Sequence, residues 1–236
     1  MASPDELIAL AEGRLAPSTR DRLLFSFDDG YADDFEVAEF LASRGIRAMF
    51  FVMPSFVGRS IDEFCDFHRR NGVEACRFFP RPCQGLERDQ IREMAAMGHR
   101  IGGHNDSHRD LGRLHSEKDV RYEIQRALDG IGEILGQPCE DFAWGFGGLA
   151  NMSPEAVAYL VERCPRIYSA VRGLNIPGRS PRFILRDDVK QEEHPFRYTQ
   201  VALRGGMDAS SVPEWTALER LGGRCPPYGA GSAGGT

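Results

Sequence analysis

The chain of 236 residues lacks paired cysteines, long apolar runs, a surplus of positive charge and internal repeats. Its six cysteines (Cys65, Cys76, Cys83, Cys139, Cys164, Cys225) never form a C-x-x-C pair. Zinc ribbons and dithiol redox motifs both need such pairs, so neither fits. No stretch approaches the roughly 18 apolar residues that cross a bilayer, so no transmembrane helix is expected. With 29 Lys+Arg against 35 Asp+Glu the formal charge is -6. That balance argues against a nucleic-acid binder, which carries a basic face to neutralise phosphates. The first residues are acidic and have no apolar core of the secretory kind. The expectation is therefore a cytoplasmic protein whose cysteines are reduced packing groups. A 42% hydrophobic share with 27% charged residues is ordinary globular composition, at a length that suits one large domain or two small ones.

Apolar runs alternate with helical patterns through most of the chain. Strands are predicted at 23–27, 48–53, 99–104, 142–146, 166–171, 182–186 and 199–204. Amphipathic helices are predicted at about 34–44, 60–71, 87–97, 117–135 and 153–163. Ser153-Pro154-Glu155 reads as an N-cap followed by proline at the first helical position, and Gly45 and Gly98 close two other helices. Strands alternating with helices predict an α/β fold with a parallel sheet. Seven strands suit a barrel or a doubly wound sheet, and periodicity does not separate the two. Residues 1–20 read as an extension with one loosely packed helical piece at 4–12, residues 21–205 as the working domain, and residues 206–236 as a tail. Beyond residue 221 that tail is rich in Gly, Pro, Ser and Ala and is expected to be disordered.

Two stretches carry chemistry. In Phe25-Ser26-Phe27-Asp28-Asp29-Gly30 an apolar strand ends in adjacent carboxylates and a glycine. Side chains alternate along a strand, so Asp28 and Asp29 face one site only if the backbone turns there, which Gly30 makes cheap. Active sites of parallel α/β folds collect at such strand ends, although an Asp-Gly turn that merely leads into the next helix has the same spelling. In Gly102-Gly103-His104-Asn105-Asp106-Ser107-His108, two histidines stand four apart after another strand. On a helical turn that spacing places both imidazoles on one face, within reach of a shared ion. Two histidines and a carboxylate form a common ligand set for a catalytic divalent metal, and the spare carboxylate can accept a proton from water.

With these motifs the chain resembles the polysaccharide deacetylase family, carbohydrate esterase family 4. The likeness extends through 31–52 and to Phe142-Ala143-Trp144-Gly145-Phe146-Gly147, which sits where the family has F-x-x-P-[YF]-G. It covers residues 21–150 well and 151–205 poorly. The resemblance implies a distorted (β/α) barrel of about seven parallel strands. It implies Asp28 as general base, Asp29, His104 and His108 as metal ligands, and Tyr31 near the backbone N–H that holds the oxyanion. The implied reaction is hydrolysis of an N-acetyl group on an acetamido sugar or glycan intermediate by water activated at the metal. Zinc is the expected ion, and the same ligands tolerate cobalt, manganese or nickel. Trp144 and Phe146 offer aromatic faces for stacking on a sugar ring, or for ordinary core packing.

The pattern also breaks. An arginine that commonly steadies the catalytic Asp is replaced by Ala143, and the following proline by Gly145. A late histidine that serves relatives as general acid has no counterpart in TQVALRGG. His194 could substitute, as could Asp106, Asp187 or Asp188; His68 and His115 read as exposed, and His99 as structural. Arg69, Arg70, Arg77 and Arg81 could meet a phosphate or form a solvated face. A different acyl group such as formyl, or glycan binding without turnover, are the alternatives to deacetylation.

Overall fold

The computed structural model describes residues 1–16, 22–75, 82–175, 182–188 and Leu218. Parallel strands cannot be joined by a tight hairpin, so each pairs with the next across a longer connection, helical in every case but the last among the described residues. Strands β1 (Ser26–Phe27), β2 (Met49–Val52), β3 (Arg100–Gly103), β4 (Asp141–Ala143), β5 (Arg166–Tyr168) and β6 (Phe183–Ile184) form one sheet in sequence order. Every pairing is parallel, with Phe27 opposite Phe50, Phe50 opposite Ile101, Gly103 opposite Phe142, Ala143 opposite Tyr168 and Tyr168 opposite Ile184. The result is a curled half-barrel wrapped by helices, the distorted (β/α) barrel expected from sequence. Six strands are seen among the described residues; the predicted strand at 199–204 lies outside them, as do Cys76, Cys225, Arg77, Arg81, His194 and all of the tail but Leu218.

Helices α2 (Asp34–Ser43), α3 (Ile61–Arg70), α4 (Arg88–Ala96), α5 (Glu117–Leu135) and α6 (Pro154–Arg163) fall within a residue or two of their predicted bounds. Ser60, Ser116 and Ser153 cap α3, α5 and α6, each accepting a backbone N–H from the first turn. The strands separate two apolar layers. Phe50, Val52, Ile101, Phe142, Trp144, Ile167 and Phe183 face the helices, while Met49, Phe51, Ala143, Tyr168 and Ile184 fill the barrel interior. Burial on both faces is what a parallel sheet demands. Gly102 is required by this packing: a Cβ there would sit 2.7 Å from the Phe51 ring.

The N-terminal piece departs from expectation. Helix α1 (Pro4–Ala11) carries a capping box between Ser3 and Glu6, buries Ile8 and Ala11, and packs Leu7 on the interior cluster. It is thus part of the packed structure and not loose. His68 departs too. It shares the buried face of α3 with Ile61 and Phe64, contacts the Tyr122 hydroxyl at 3.1 Å, and burial lowers its pKa to about 4. His99 is structural as read: Ala48 N–H donates to Nδ1 at 3.1 Å, and Nε2–H donates to Ala38 O at 2.9 Å. Cys139 and Cys164 are buried thiols whose pKa burial raises, to about 12 for Cys139, which suits packing groups.

The two ends of the barrel differ. At the strand starts, the buried carboxylate of Asp141 accepts from Arg100 Nε (2.5 Å), Arg166 Nε (2.7 Å) and Tyr168 Oη (2.7 Å). At the strand ends lie the two motifs.

Candidate active site

Four described non-glycine residues adopt positive φ: Asp29 (78°), Asn105 (47°), His108 (56°) and Phe146 (65°). Such backbone costs about 1–3 kcal/mol per residue and concentrates where function over-determines it. All four stand just past strands β1, β3 and β4, around one spot.

The turn after β1 separates the adjacent carboxylates. Asp28 continues the strand and meets Arg186, while left-handed Asp29 swings its carboxylate toward the histidines. Gly30 follows at φ 78°, where a Cβ would lie 2.7 Å from Val52 Cγ1. The loop is pinned by Leu86 N–H to Gly30 O (3.0 Å) and Ala32 N–H to Gln84 O (2.8 Å). His104 Nε2 and His108 Nε2 each lie 3.3 Å from Asp29 Oδ1.

This trio suits a cation. His104 Nδ1–H donates to Ala143 O at 2.9 Å, so in the neutral ring Nε2 presents a lone pair. That lone pair faces Asp29 Oδ1, and both atoms are buried without a hydrogen-bond partner. Two acceptors so placed need positive charge between them, and the third nitrogen lies within the same 4.8 Å sphere. Burial alone would raise the pKa of Asp29, but positive charge on the facing imidazoles of His104 and His108 outweighs that and holds it far below the ordinary carboxylate range, and a cation between neutral rings acts in the same direction. It is thus ionised and ready to ligate. The histidine pair does not sit on a helical turn, as its spacing suggested; it spans an irregular loop with two left-handed residues.

Asp28 is gripped bidentately: Arg186 Nη1 donates to Oδ1 (2.6 Å) and Nη2 to Oδ2 (2.9 Å). The same guanidinium donates through Nε to Ser169 O (2.8 Å) and through Nη1 to Ser26 Oγ (3.2 Å), lying 4.9 Å above the Phe51 ring. Burial pushes the Asp28 pKa up, but Arg186 and then His104 outweigh it and leave the net shift downward. Arg186 was invisible to sequence reading. It does for Asp28 what an arginine at position 143 was expected to do, and Ala143 and Phe51 belong to the same interior cluster.

The other candidates scatter. The Tyr31 hydroxyl hydrogen-bonds Asp29, and burial followed by that negative charge raises its pKa. Phe146 is 47% exposed with its ring 4.9 Å from His108, so it presents an aromatic face beside the trio. Trp144 is fully buried and donates its indole N–H to Gly148 O (2.9 Å). It belongs to the core layer and offers no face for stacking. Asp106 is a buried member of the histidine loop, bound to Ser55 and Arg126, and is not placed as an acid. Asp187 pairs with Arg172 at 3.4 Å, Asp188 is exposed, and His115 is exposed beside Glu155. Arg69 and Arg70 are exposed on α3, where Arg69 pairs with Asp66. Glu123 of α5, also missed in sequence, accepts hydrogen bonds from the histidine loop.

Asp34 is buried at the start of α2 with Oδ2 lacking a hydrogen-bond partner. Burial first, then the charges of Asp33, Asp29 and Asp28, raises its pKa to about 8. Its folded pKa exceeds the unfolded value, so its favourable contribution is full below about pH 4 and is lost as pH rises toward 8. Asp34→Asn should therefore stabilise the metal-stripped protein by about 1–3 kcal/mol at pH 8, and by less at pH 5. Equal shifts in thermal unfolding at both pH values would contradict this.

Residues 16–163 match the family described as polysaccharide deacetylase. Among solved structures, IcaB from Ammonifex degensii superposes with a TM-score of 0.64 at 23% identity, over 86% of this chain and 80% of that one. A Streptococcus pyogenes deacetylase, PplD, solved in complex with acetate, gives 0.62 at 16% identity over 84% and 77%. A de-N-acetylase from Aggregatibacter actinomycetemcomitans gives 0.61 at 16% identity over 84% and 81%. At these identities the likeness speaks for the fold. No curated protein matches the chain.

Proposed function

Because the chain belongs to the polysaccharide deacetylase family, we propose that it is a metal-dependent hydrolase that removes N-acetyl groups from an acetamido sugar or glycan. The observation that carries this reading is the trio Asp29, His104 and His108, with a separately held carboxylate, Asp28, beside it. Members of this family generally use a divalent metal. Asp29 Oδ1, His104 Nε2 and His108 Nε2 would hold it. Bound there, a divalent ion would supply Lewis acidity toward the acetyl carbonyl and lower the pKa of water. Asp28 then takes the proton from the attacking water, in a geometry set by the Arg186 fork. Arg186 keeps Asp28 ionised, so the base is ready without a prior proton loss. The exposed Phe146 ring gives a sugar face a surface to lie on. The Tyr31 hydroxyl hydrogen-bonds Asp29 and steadies it.

The test is acetate release from N-acetylglucosamine oligomers by protein of known metal content. The expected result is a single divalent ion per chain, release that falls by more than about 10²-fold on chelation, and recovery on adding zinc or cobalt. Formate release from N-formyl sugars without acetate release would redirect the reading to another acyl group. Oligomer binding by a protein that holds no metal and releases no acid would overturn it in favour of a glycan binder.

A further inference from the structure

The loop from His104 to His108 has no regular hydrogen-bonding pattern of its own, yet it must hold two imidazoles within 3.3 Å of one carboxylate oxygen. Its middle residues turn their N–H groups toward α5. There Glu123, fully buried, accepts from Ser107 N (3.0 Å) and Asp106 N (3.3 Å), and also from Ser107 Oγ. Arg109 Nε, one residue past the second histidine, donates to the same carboxylate at 2.9 Å. Three residues along α5, on the same face, Arg126 donates to Asp106 Oδ2 at 2.7 Å, and Ser55 Oγ donates to Oδ1 at 2.6 Å. Asn105 closes the loop from within, donating to Arg109 O (2.7 Å) and accepting from Gly145 N (3.3 Å).

We infer that Glu123 is a positioning residue for the metal ligands: its carboxylate holds the two peptide N–H groups between His104 and His108 and so fixes the separation of the imidazoles. The inference rests on the metal reading above. Its physical basis is that Asn105 and His108 occupy left-handed backbone that a free loop would leave, and a buried carboxylate that accepts from four donors holds the intervening peptides in place. A helix residue that served only packing would be apolar here. Glu123 interrupts a stripe of Val120, Ile124, Ala127, Leu128 and Ile131, all buried. A carboxylate is maintained in that stripe at a desolvation cost that its loop contacts offset.

The experiment compares wild type, Glu123→Gln and Ser107→Ala. Affinity for Zn2+ is measured by chelator competition, the Co2+-loaded protein is examined by visible absorption, and the metal-stripped proteins are followed by thermal unfolding. Glu123→Gln should weaken Zn2+ binding about 10–100-fold and alter the Co2+ spectrum, because partners behind metal ligands carry effects of that size. Ser107→Ala, which removes one of the four bonds, should weaken binding in the same direction by less than about tenfold. If Glu123→Gln lowers only the unfolding temperature and leaves affinity and spectrum as in wild type, the residue is merely structural and the inference is overturned. Should Glu123→Gln fail to fold, an unchanged affinity in Ser107→Ala overturns it equally. A wild type that binds no divalent ion sinks the functional reading together with this one; a wild type that binds, with variants that match it, sinks this one alone.

Discussion

Asp28→Asn should lower kcat by about 10³-fold while leaving metal content and KM close to wild type. The amide keeps the shape of the carboxylate and can still accept one hydrogen bond from Arg186, so the turn after β1 is retained. What it cannot do is take a proton. Asp29, one position along, faces the opposite partners, so the two variants separate cleanly: Asp29→Ala should empty the metal site, and Asp28→Asn should leave it filled. Steady-state kinetics with metal analysis of the same samples decides the point. Full activity in Asp28→Asn would remove Asp28 from the proposed mechanism. Loss of metal there would mean that the two carboxylates share the ion.

Arg186→Met should cost about 10²-fold in kcat/KM, and the double variant with Asp28→Asn should be scarcely slower than Asp28→Asn alone. The reasoning is that Arg186 acts on rate through one partner. With Asp28 unable to serve as base, the fork has nothing to hold in place. Stability should behave differently. The guanidinium also binds Ser169 O and Ser26 Oγ, so its removal should destabilise both backgrounds by about 1–3 kcal/mol, leaving those acceptors without their donor. Rate effects that multiply in the double variant would show that Arg186 acts on the reaction independently of Asp28.

The sequence made the framework legible because each strand is a short apolar run and three of the crossover helices begin at a capping serine. Ser60, Ser116 and Ser153 mark starts to within a residue. That Asp28, Asp29, His104 and His108 would be gathered at one end of the barrel was legible because both motifs follow strands of one parallel sheet. Arg186 was not. It stands 158 positions from Asp28, and nothing in periodicity says that the last described strand returns beside the first. A charge at the end of RFILR reads equally well as a solvated turn. Glu123 left a trace, a carboxylate on the apolar stripe of α5, but a stripe does not reveal which loop lies against it. His68 misled for the converse reason: its flanking arginines suggest a wet face, yet spacing from Ile61 and Phe64 puts it inward. The histidine spacing gave the right partners through a wrong conformation. Left-handed Asn105 and His108 close the distance that a helical turn was expected to close.

The reach of Arg186 from the end of β6 to the end of β1 has a consequence for how the protein comes to be active. A chain emerging from the ribosome exposes Asp28, His104 and His108 long before residue 186 is synthesised. The trio can gather around an ion as soon as β1 to β4 and their helices have folded. The base gains its fork only when β6 docks against β5 and swings its arginine across the mouth. In the proposed mechanism, ion capture and hydrolytic competence are therefore separate stages of maturation, and the last of the described strands brings the arginine that holds the base.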